Sequence, residues 1–224
     1  MDERRVTFRV GETRTVSGLL RTPANPRGCV VLAHGAGAGM SHPSMEALAS
    51  GFGERKFATF RYQFPYMEAG GGRPDPPPIA QAAVREAVAE AARRWPALPR
   101  FAGGKSFGGR MTSQAQAASP LPGVQGLVFF AFPLHPPKQV SAERAAHLES
   151  VDIPMLFLQG SRDAMADPHE LQLLRERLGE RATLKTLEHA DHSFDVPARS
   201  GRADRAVLDE ALDAFGAWFE RVIP

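Results

Sequence analysis

The residues best suited to chemistry lie in the segment Gly104–Gly108, which reads Gly-Lys-Ser-Phe-Gly. A Gly-Lys-Ser tripeptide also occurs in phosphate-binding loops, where another glycine stands five positions before the glycine of the tripeptide. This chain has Pro99 at that place, and an apolar strand pattern replaces the glycine-rich loop. We therefore interpret the segment as a Gly-x-Ser-x-Gly turn that presents Ser106 as a nucleophile between a strand and a helix.

A serine hydroxyl becomes a good nucleophile only when a nearby base, most often a histidine, accepts its proton. The chain has seven histidines, and two of them, His189 and His192, lie in the segment Glu188–Phe194 after the last predicted strand. His192 is the further from that strand, in a loop from which an imidazole can reach the neighbouring strand ends. We predict His192 as the general base and keep His189 as the alternative.

The base needs a carboxylate that fixes its tautomer and stabilises its protonated form. Two aspartates, Asp163 and Asp167, follow the predicted strand Pro154–Gly160. Asp167 precedes a Pro-His-Glu run, which is typical of the start of a helix that an aspartate caps. We therefore predict that Asp163 orients His192. The resulting order of serine, aspartate and histidine along the chain is that of one specific fold.

Acyl transfer also requires two backbone N–H groups that bind the negative charge developing on the substrate oxygen. The residue after the nucleophile, Phe107, supplies the first of these groups in a strand–turn–helix segment. The second should come from the loop His34–Met40, which follows the predicted strand Gly28–His34 and contains three glycines. We predict the amide of Ala36 and keep that of Gly37 as the alternative.

Short apolar segments alternate with longer helical patterns, as parallel strands covered on both faces require. The predicted strands are Gly28–His34, Phe57–Tyr62, Arg100–Lys105, Val124–Phe132, Pro154–Gly160 and Ala182–Glu188, after a hairpin of Arg4–Val10 and Thr13–Arg21. The predicted helices are Ser44–Arg55, Ile79–Trp95, Phe107–Ala118, Ser141–Ser150, Asp167–Leu178 and a C-terminal helix around 207–219. This alternation predicts one α/β domain over residues 1–224. We expect a three-layer αβα sandwich with a mostly parallel twisted sheet of about eight strands and no large cap domain.

One segment interrupts the alternation. Residues Phe64–Pro78 are rich in glycine and proline and show no periodicity, so we predict an irregular loop that lies on the surface or faces a substrate. Three side chains near its start are predicted to line a substrate pocket, with burial in the core as the alternative: Phe64, Tyr66 and Met67. Two cations, Lys105 and Arg110, flank the nucleophile. Each is either solvated or paired within the protein, or attracts an anionic group of a substrate.

Composition limits the partners that we expect. The chain has 224 residues and a formal net charge of +2, and it lacks the basic runs typical of nucleic-acid binding. Its single cysteine, Cys29, excludes an intrachain disulfide and a multi-cysteine metal site. No apolar run has the length of a membrane span, and the first ten residues lack the apolar region of a signal peptide. We therefore expect a cytoplasmic protein with no cofactor, no metal, no nucleic acid and no membrane contact, acting on a small-molecule ester or acyl substrate.

The motifs together resemble the alpha/beta hydrolase superfamily, and within it the small, lidless members related to dienelactone hydrolase. The segments that carry the resemblance are "LAHGAGAGM", "FRYQFPYM", "GGKSFGGRM", "FPLHPP", "LQGSRD" and "HADHSF". Three details, "HGAGAG", "GGKSFGGRM" and "PLHPP", are similar to a narrower branch. That branch is related to a subunit of the eukaryotic non-specific-lethal histone acetyltransferase complex.

The resemblance implies hydrolysis through an acyl-enzyme, in which Ser106 carries the acyl group, His192 moves the proton and Asp163 orients His192. We therefore expect a carboxylesterase-like serine hydrolase. The alternatives are a peptidase, thioesterase or haloperoxidase-like activity on the same triad, or a non-catalytic interaction module of the same fold. Dienelactone hydrolases use a cysteine at the position of Ser106, so the resemblance does not imply dienelactone turnover.

Overall fold

A computed structural model describes residues 2–223, in which eight strands form one sheet. In chain order the strands are β1 (Asp2–Val10), β2 (Arg14–Thr22), β3 (Gly28–Ala33), β4 (Phe57–Tyr62), β5 (Arg100–Lys105), β6 (Val124–Phe130), β7 (Met155–Gly160) and β8 (Ala182–Leu187). Across the sheet their order is β1-β2-β4-β3-β5-β6-β7-β8. The β1–β2 and β2–β4 pairs are antiparallel, and the five remaining pairs are parallel.

Unbroken apolar runs explain why the middle of the sheet is covered on both faces. Every residue of β3, β4 and β7 is buried, whereas β8 at the sheet edge is buried only at its two ends. Side chains alternate between the two faces of a strand, so a run that is apolar throughout needs packing partners on both. The predicted strands are confirmed to within one or two residues at their ends. The β6 strand ends two residues early because Ala131 has a φ of 57°, outside the extended region.

Helices supply those packing partners on both faces. They are α1 (Pro43–Glu54), α2 (Pro65–Glu68), α3 (Pro77–Arg94), α4 (Phe107–Ala118), α5 (Pro168–Leu178) and α6 (Asp204–Val222). Apolar side chains of α3, α4 and α5 share one core with Val31 of β3. Those of α1 and α6 share a second core with its neighbour Val30, on the opposite face. The predicted three-layer αβα sandwich is confirmed.

The connections at the carboxyl ends of the parallel strands decide whether these ends are accessible to a ligand or covered by a further domain. Between β6 and β7 the chain forms a single 3-10 helix, Glu143–Ser150, and residues 2–223 contain no cap domain. Among residues 2–223, no helix combines the length and the apolar character needed to cross a membrane.

The predicted helix Ser141–Ser150 forms over Glu143–Ser150 as a 3-10 helix. Ala145, Leu148 and Val151 follow one another at steps of three and are fully buried. A helix with three residues per turn places side chains at that spacing in one line. The burial pattern therefore favours the tighter helix over the α-helix.

The prediction that Phe64–Pro78 is irregular throughout is wrong. The segment contains the one-turn helix α2, and α3 begins within it at Pro77. Glu68 of α2 accepts hydrogen bonds of 2.9 Å from both the amide and the hydroxyl of Ser17 on β2. This contact joins residues 51 positions apart, so no local pattern could predict it.

Candidate active site

The turn between β5 and α4 carries Ser106 with a φ of 50° and a ψ of −116°. Such a backbone conformation costs a non-glycine residue on the order of 1–3 kcal/mol and persists only where the surrounding structure fixes it. The Ser106 amide donates to the Phe130 carbonyl at 3.0 Å, and the Arg110 amide donates to the Ser106 carbonyl at 3.1 Å. These two bonds hold the turn to β6 on one side and to its own helix on the other.

The glycines on either side of this turn are explained by the closeness of β3. A Cβ atom added to Gly104 would lie 2.1 Å from the Ala33 carbonyl oxygen, and one added to Gly108 would lie 2.4 Å from the same atom. Real side chains do not approach a carbonyl oxygen so closely. The Gly-x-Ser-x-Gly spacing is therefore a packing requirement of a sharp strand-to-helix turn.

Three side chains from separate strand ends meet at this turn. The His192 Nε2 atom lies 2.9 Å from Ser106 Oγ, and His192 Nδ1 lies 2.7 Å from an oxygen of Asp163. The Asp163 side chain is fully buried, whereas 27% of the His192 side chain is exposed. The structure thus brings the three predicted residues into one hydrogen-bonded chain that runs from a buried carboxylate to a more accessible hydroxyl.

Neighbouring groups fix the Asp163 carboxylate in turn. The Gln159 side-chain amide donates to the same oxygen that faces His192 at 2.6 Å, and the Met165 backbone amide donates to the other oxygen at 2.8 Å. Sequence analysis missed Gln159. The signal was a polar residue near the end of the otherwise apolar strand β7, where it is 2% exposed.

The alternative base and acid lie outside this chain of hydrogen bonds. His189 is exposed on the turn after β8, where its backbone amide donates to Ser161 Oγ at 2.8 Å. Asp167 caps α5, since its carboxylate accepts from the amides of His169 and Glu170 at 3.0 and 3.1 Å. The helix-start pattern at Asp167 therefore has the local role that its sequence indicated.

The loop after β3 is shaped by His34, which sequence analysis did not single out. Its Nδ1 atom lies 2.8 Å from the Gly35 carbonyl oxygen, and its Nε2 atom accepts a bond of 3.1 Å from the Phe64 amide. Burial lowers the pKa of this imidazole to about 4, so it is neutral and donates from Nδ1. Because the two ends of a trans peptide group point in opposite directions, holding the Gly35 carbonyl also sets the direction of the Ala36 N–H.

The same loop runs beside the nucleophile. A Cβ atom added to Gly35 would lie 3.9 Å from Ser106 Cβ. The Gly37 amide donates to the Tyr66 hydroxyl at 3.0 Å, so this N–H group already has a partner. Within residues 2–223 the amides of Ala36 and Phe107 donate to no protein acceptor. Of the three predicted donors, these two are therefore available for a ligand.

The segment that contains the strained serine, the histidine and the buried carboxylate matches a known protein family. Residues 26–220 match the family described as alpha/beta hydrolase domain. The chain belongs to this family. The match spans the strand ends that carry all three side chains, so the hydrogen-bonded chain described above lies within the hydrolase domain.

Solved structures of similar fold cover nearly the whole of this alpha/beta hydrolase. A dienelactone hydrolase from Anabaena variabilis shares 22% identity with a TM-score of 0.76, over 96% of this chain and 97% of that one. The esterase domain of a Rhodothermus marinus protein shares 15% identity with a TM-score of 0.74, over 99% of each chain. An α/β serine hydrolase without a lid from Xanthomonas campestris shares 19% identity with a TM-score of 0.73, over 96% and 95%. At these identities the likeness shows the fold.

The residues predicted to line a substrate pocket lie around the loop after β3 in this hydrolase. Phe64 is fully buried, and its ring centroid lies 4.9 Å from that of His34 and 5.3 Å from that of Phe107. Tyr66 is 6% exposed and accepts the bond from the Gly37 amide. Met67 is half-buried and packs against the core. Phe64 and Tyr66 therefore support the loop that carries the predicted oxyanion donors.

The two cations that flank the nucleophile differ in their surroundings. The Lys105 ammonium donates to the backbone carbonyls of His192 and Ser193 at 3.1 and 3.4 Å, and burial lowers its pKa to about 8. Arg110 is half-buried, with its guanidinium carbon 5.9 Å from the centroid of the Phe107 ring. Lys105 is therefore bound to the loop that carries His192 rather than solvated.

A cavity of about 480 Å³ opens beside Lys105, between α1, α6 and the loop after β8. Its apolar lining comes from Leu48, Phe130, Phe194 and Leu208. The lining includes Lys105 and Ser193, which are the chain neighbours of Ser106 and His192, but neither of those two residues themselves. The cavity thus adjoins the triad from the α1 and α6 face of the sheet. In residues 2–223 no group of three or more histidine, cysteine or acidic side chains has the geometry to hold a metal ion.

Proposed function

We propose that this chain is a serine hydrolase that cleaves carboxylic esters through an acyl-enzyme, with Ser106, His192 and Asp163 as its triad. The observation that carries the proposal is the unbroken series of hydrogen bonds from Asp163 through His192 to Ser106 Oγ. The proposal treats the chain as a single catalytic domain, since every described strand belongs to one sheet. We also propose that the chain belongs to the narrower branch related to a non-specific-lethal complex subunit, on the basis of its sequence motifs.

Proton transfer begins at the serine. His192 Nε2 takes the proton of the Ser106 hydroxyl as Oγ attacks the substrate carbonyl carbon, and the carbonyl double bond becomes a C–O⁻ single bond. The His192 imidazolium then carries a proton on each nitrogen, and its Nδ1–H faces the Asp163 carboxylate. Because that carboxylate is buried and held by two further donors, it stabilises the imidazolium without reorganising.

The negative charge on the substrate oxygen would be bound by the amides of Ala36 and Phe107. Both donors are fixed before the substrate arrives, one by the His34 contact to Gly35 and the other by the start of α4. Collapse of this intermediate breaks the bond to the alkoxide, which takes the proton from His192 Nε2. Water then repeats the sequence on the acyl-enzyme and releases the acid. Preorganised donors of this type each contribute on the order of 3–4 kcal/mol to transition-state binding.

Small, soluble esters are the substrates that this site favours. No cap domain within residues 2–223 covers the carboxyl ends of the strands, so a substrate needs no lid to open. Esters are favoured over amides because an alkoxide leaves the tetrahedral intermediate more readily than an amine does. The site therefore needs to stabilise the leaving group less.

The test is hydrolysis of p-nitrophenyl acetate, combined with labelling by a fluorophosphonate probe. We expect turnover by the parent chain and covalent labelling at Ser106. The Ser106→Ala and His192→Ala variants should each lose activity by a factor of at least about 10³, because nucleophile and base act as one unit.

Matched controls are Ser150→Ala and His189→Ala, which change an exposed serine and an exposed histidine outside the hydrogen-bonded chain. Both should retain the parent rate. Failure of the probe to label folded parent protein would instead favour a non-catalytic module of the same fold. Equal turnover by His192→Ala and the parent would remove His192 from the mechanism.

A further inference from the structure

Lys105 occupies the unspecified position before the serine in the Gly-x-Ser-x-Gly turn. We propose that Lys105 is a positioning residue, whose ammonium group holds the loop after β8 at the place where His192 Nε2 reaches Ser106 Oγ. This inference rests on the proposed serine hydrolase function and adds to it a residue that controls the geometry of the base.

The sheet itself leaves the His192 loop weakly placed with respect to the serine. Ser106 follows β5, whereas His192 follows β8, and β6 and β7 lie between these strands. Three strand spacings amount to about 14 Å. The loop must therefore reach back across two strand ends. The Arg162 amide, after β7, donates to the Ala190 carbonyl of this loop at 2.9 Å, but within residues 2–223 no backbone hydrogen bond joins residues 192–194 to β5.

Lys105 spans that gap from the residue next to the nucleophile. Its ammonium donates to the carbonyls of His192 and Ser193, 87 and 88 residues away in the chain. It also lies 4.7 Å from the centroid of the Phe194 ring, a distance at which a cation is attracted to the ring face. Three consecutive residues of the loop are thus bound by one side chain, and the first of them is the base.

The ammonium has no close acidic partner that would explain its burial as an ordinary ion pair. Within residues 2–223 it forms no salt bridge shorter than 4.0 Å. The charged and titratable groups that face it are Asp163, Asp191 and Asp195 at longer range, and His42, Asp204 and Arg205 around the adjoining cavity. A partly buried ammonium beside a cavity, with a strongly lowered pKa, marks a candidate functional position.

Its effect on stability distinguishes positioning from support of the fold. Burial lowers the pKa of Lys105 from 10.5 to about 8, so the unfolded chain binds this proton more tightly than the folded one. The charged form therefore destabilises the folded protein below about pH 8 and ceases to do so above about pH 10.5. Because Ser193 is exposed, water can bind its carbonyl when the ammonium is removed.

Activity should have the opposite dependence on pH. The ammonium loses its proton as the pH rises through about 8, and the neutral amine donates weaker hydrogen bonds and no longer attracts the Phe194 ring. The three carboxylates that face Lys105 oppose this loss of charge, and burial outweighs them. Turnover by the parent protein should therefore decline above about pH 8.

The experiment compares the parent with Lys105→Met, Lys105→Arg and, as a matched control, Lys138→Met, since Lys138 is exposed. Hydrolysis of p-nitrophenyl acetate from about pH 6 to about pH 10 gives kcat and KM. Thermal unfolding gives the Tm, and hydrogen–deuterium exchange reports the order of residues 188–195.

We expect Lys105→Met to lower kcat about 10- to 100-fold, because a base displaced by about 1 Å has an effect of this size. KM should change less than about threefold, the exchange of residues 188–195 should rise, and the Tm should match or exceed that of the parent. The decline above pH 8 should vanish in Lys105→Met. It should move to higher pH in Lys105→Arg, whose guanidinium stays charged and restores part of kcat. Lys138→Met should match the parent in each measurement.

Unchanged kcat and unchanged exchange in Lys105→Met would overturn the inference. So would a Tm that falls in step with kcat, since Lys105 would then only support the fold. A parent chain without turnover would overturn the proposed function. In that case increased exchange in Lys105→Met would leave the loop-holding role standing, and unchanged exchange would remove both.

Discussion

At the scale of single residues, the Tyr66 hydroxyl decides which amides of the loop after β3 remain free. It accepts the Gly37 N–H at 3.0 Å, and burial raises the pKa of this phenol, which keeps it protonated. This bond holds the loop through Gly37, whereas the Ala36 amide has no protein acceptor within residues 2–223. Tyr66 therefore allows a test between the two predicted oxyanion donors.

We predict that Tyr66→Phe lowers kcat about tenfold with little change in KM, because the loop that carries Ala36 loses one of its fixed contacts. Steady-state kinetics with p-nitrophenyl acetate measure the effect. Tyr62→Phe is the control, since it removes the other phenolic hydroxyl of the chain from a fully buried position in the core. A rise in kcat for Tyr66→Phe would show that the freed Gly37 amide is the donor.

Sequence reasoning reached the residues whose roles follow from their place at a strand end. Ser106, Asp163 and His192 each follow a predicted parallel strand, and the carboxyl ends of parallel strands lie at one edge of a sheet. The roles of His34 and Gln159 were not predicted, because they depend on contacts that only the fold creates. His34 accepts from the Phe64 amide 30 residues away, a pairing that no local pattern encodes.

At the scale of elements, the start of α5 shows how a local signal separates two neighbouring aspartates. Asp167 binds two amides of the first turn, whereas the nearby Asp163 faces His192. The Pro-His-Glu run after Asp167 marks the cap in the sequence, and no comparable pattern follows Asp163. This difference made the choice of the triad acid possible.

We predict that Asp167→Ala lowers the free energy of unfolding by about 1 kcal/mol, because two amides lose their acceptor. Urea unfolding measures the change, and kcat should stay at the parent value because the triad is untouched. Asp167→Asn is the matched control, since asparagine caps helices about as well as aspartate. A fall in kcat measured under conditions where Asp167→Ala remains folded would show that the cap also positions the Asp163 loop.

Elements defined by their own periodicity were predicted well, and elements defined by distant contacts were not. The strands Phe57–Tyr62 and Arg100–Lys105 and the helix Phe107–Ala118 have the predicted bounds. The helix α2 was missed, because Ser17 of the hairpin holds it. The helix after β6 was predicted, but its 3-10 form, packed against α4, was not. Both lie where chain-local patterns are weak.

At the scale of the whole molecule, two histidines make the stability of the fold depend on pH. Burial lowers the pKa of His34 and, together with the nearby Arg110, that of His147 to about 4. Both values lie below the 6.5 of an exposed imidazole, so the unfolded chain binds more protons between about pH 6.5 and pH 4. Stability is therefore fully present above this window and falls as the pH is lowered through it.

We predict that the Tm falls as the pH is lowered from about 7 to about 4, with each histidine contributing on the order of 1–3 kcal/mol. Thermal unfolding at a series of pH values measures the slope. His147→Gln should flatten it, because the amide offers both a donor and an acceptor to the Ser113 hydroxyl that contacts His147 at 2.7 Å, and it does not titrate. An identical slope in parent and variant would exclude His147 as a contributor.

The fold class followed from alternation of short apolar runs and helical patterns, whereas the order of strands across the sheet did not. That order depends on which strand edges pair. One edge of β4 pairs with β2 in antiparallel orientation, and its other edge pairs with β3 in parallel orientation. Periodicity describes the faces of a strand and carries no information about its edges.

The two margins of the sheet have unequal value for anyone who tethers this protein to a solid support or fuses it to another chain. The β8 margin bears the base, and pulling there would act on the reactive geometry. The β1 margin lies four strands from β5 on the other side. An anchor placed on β1 leaves the working end free and its supporting loop undisturbed.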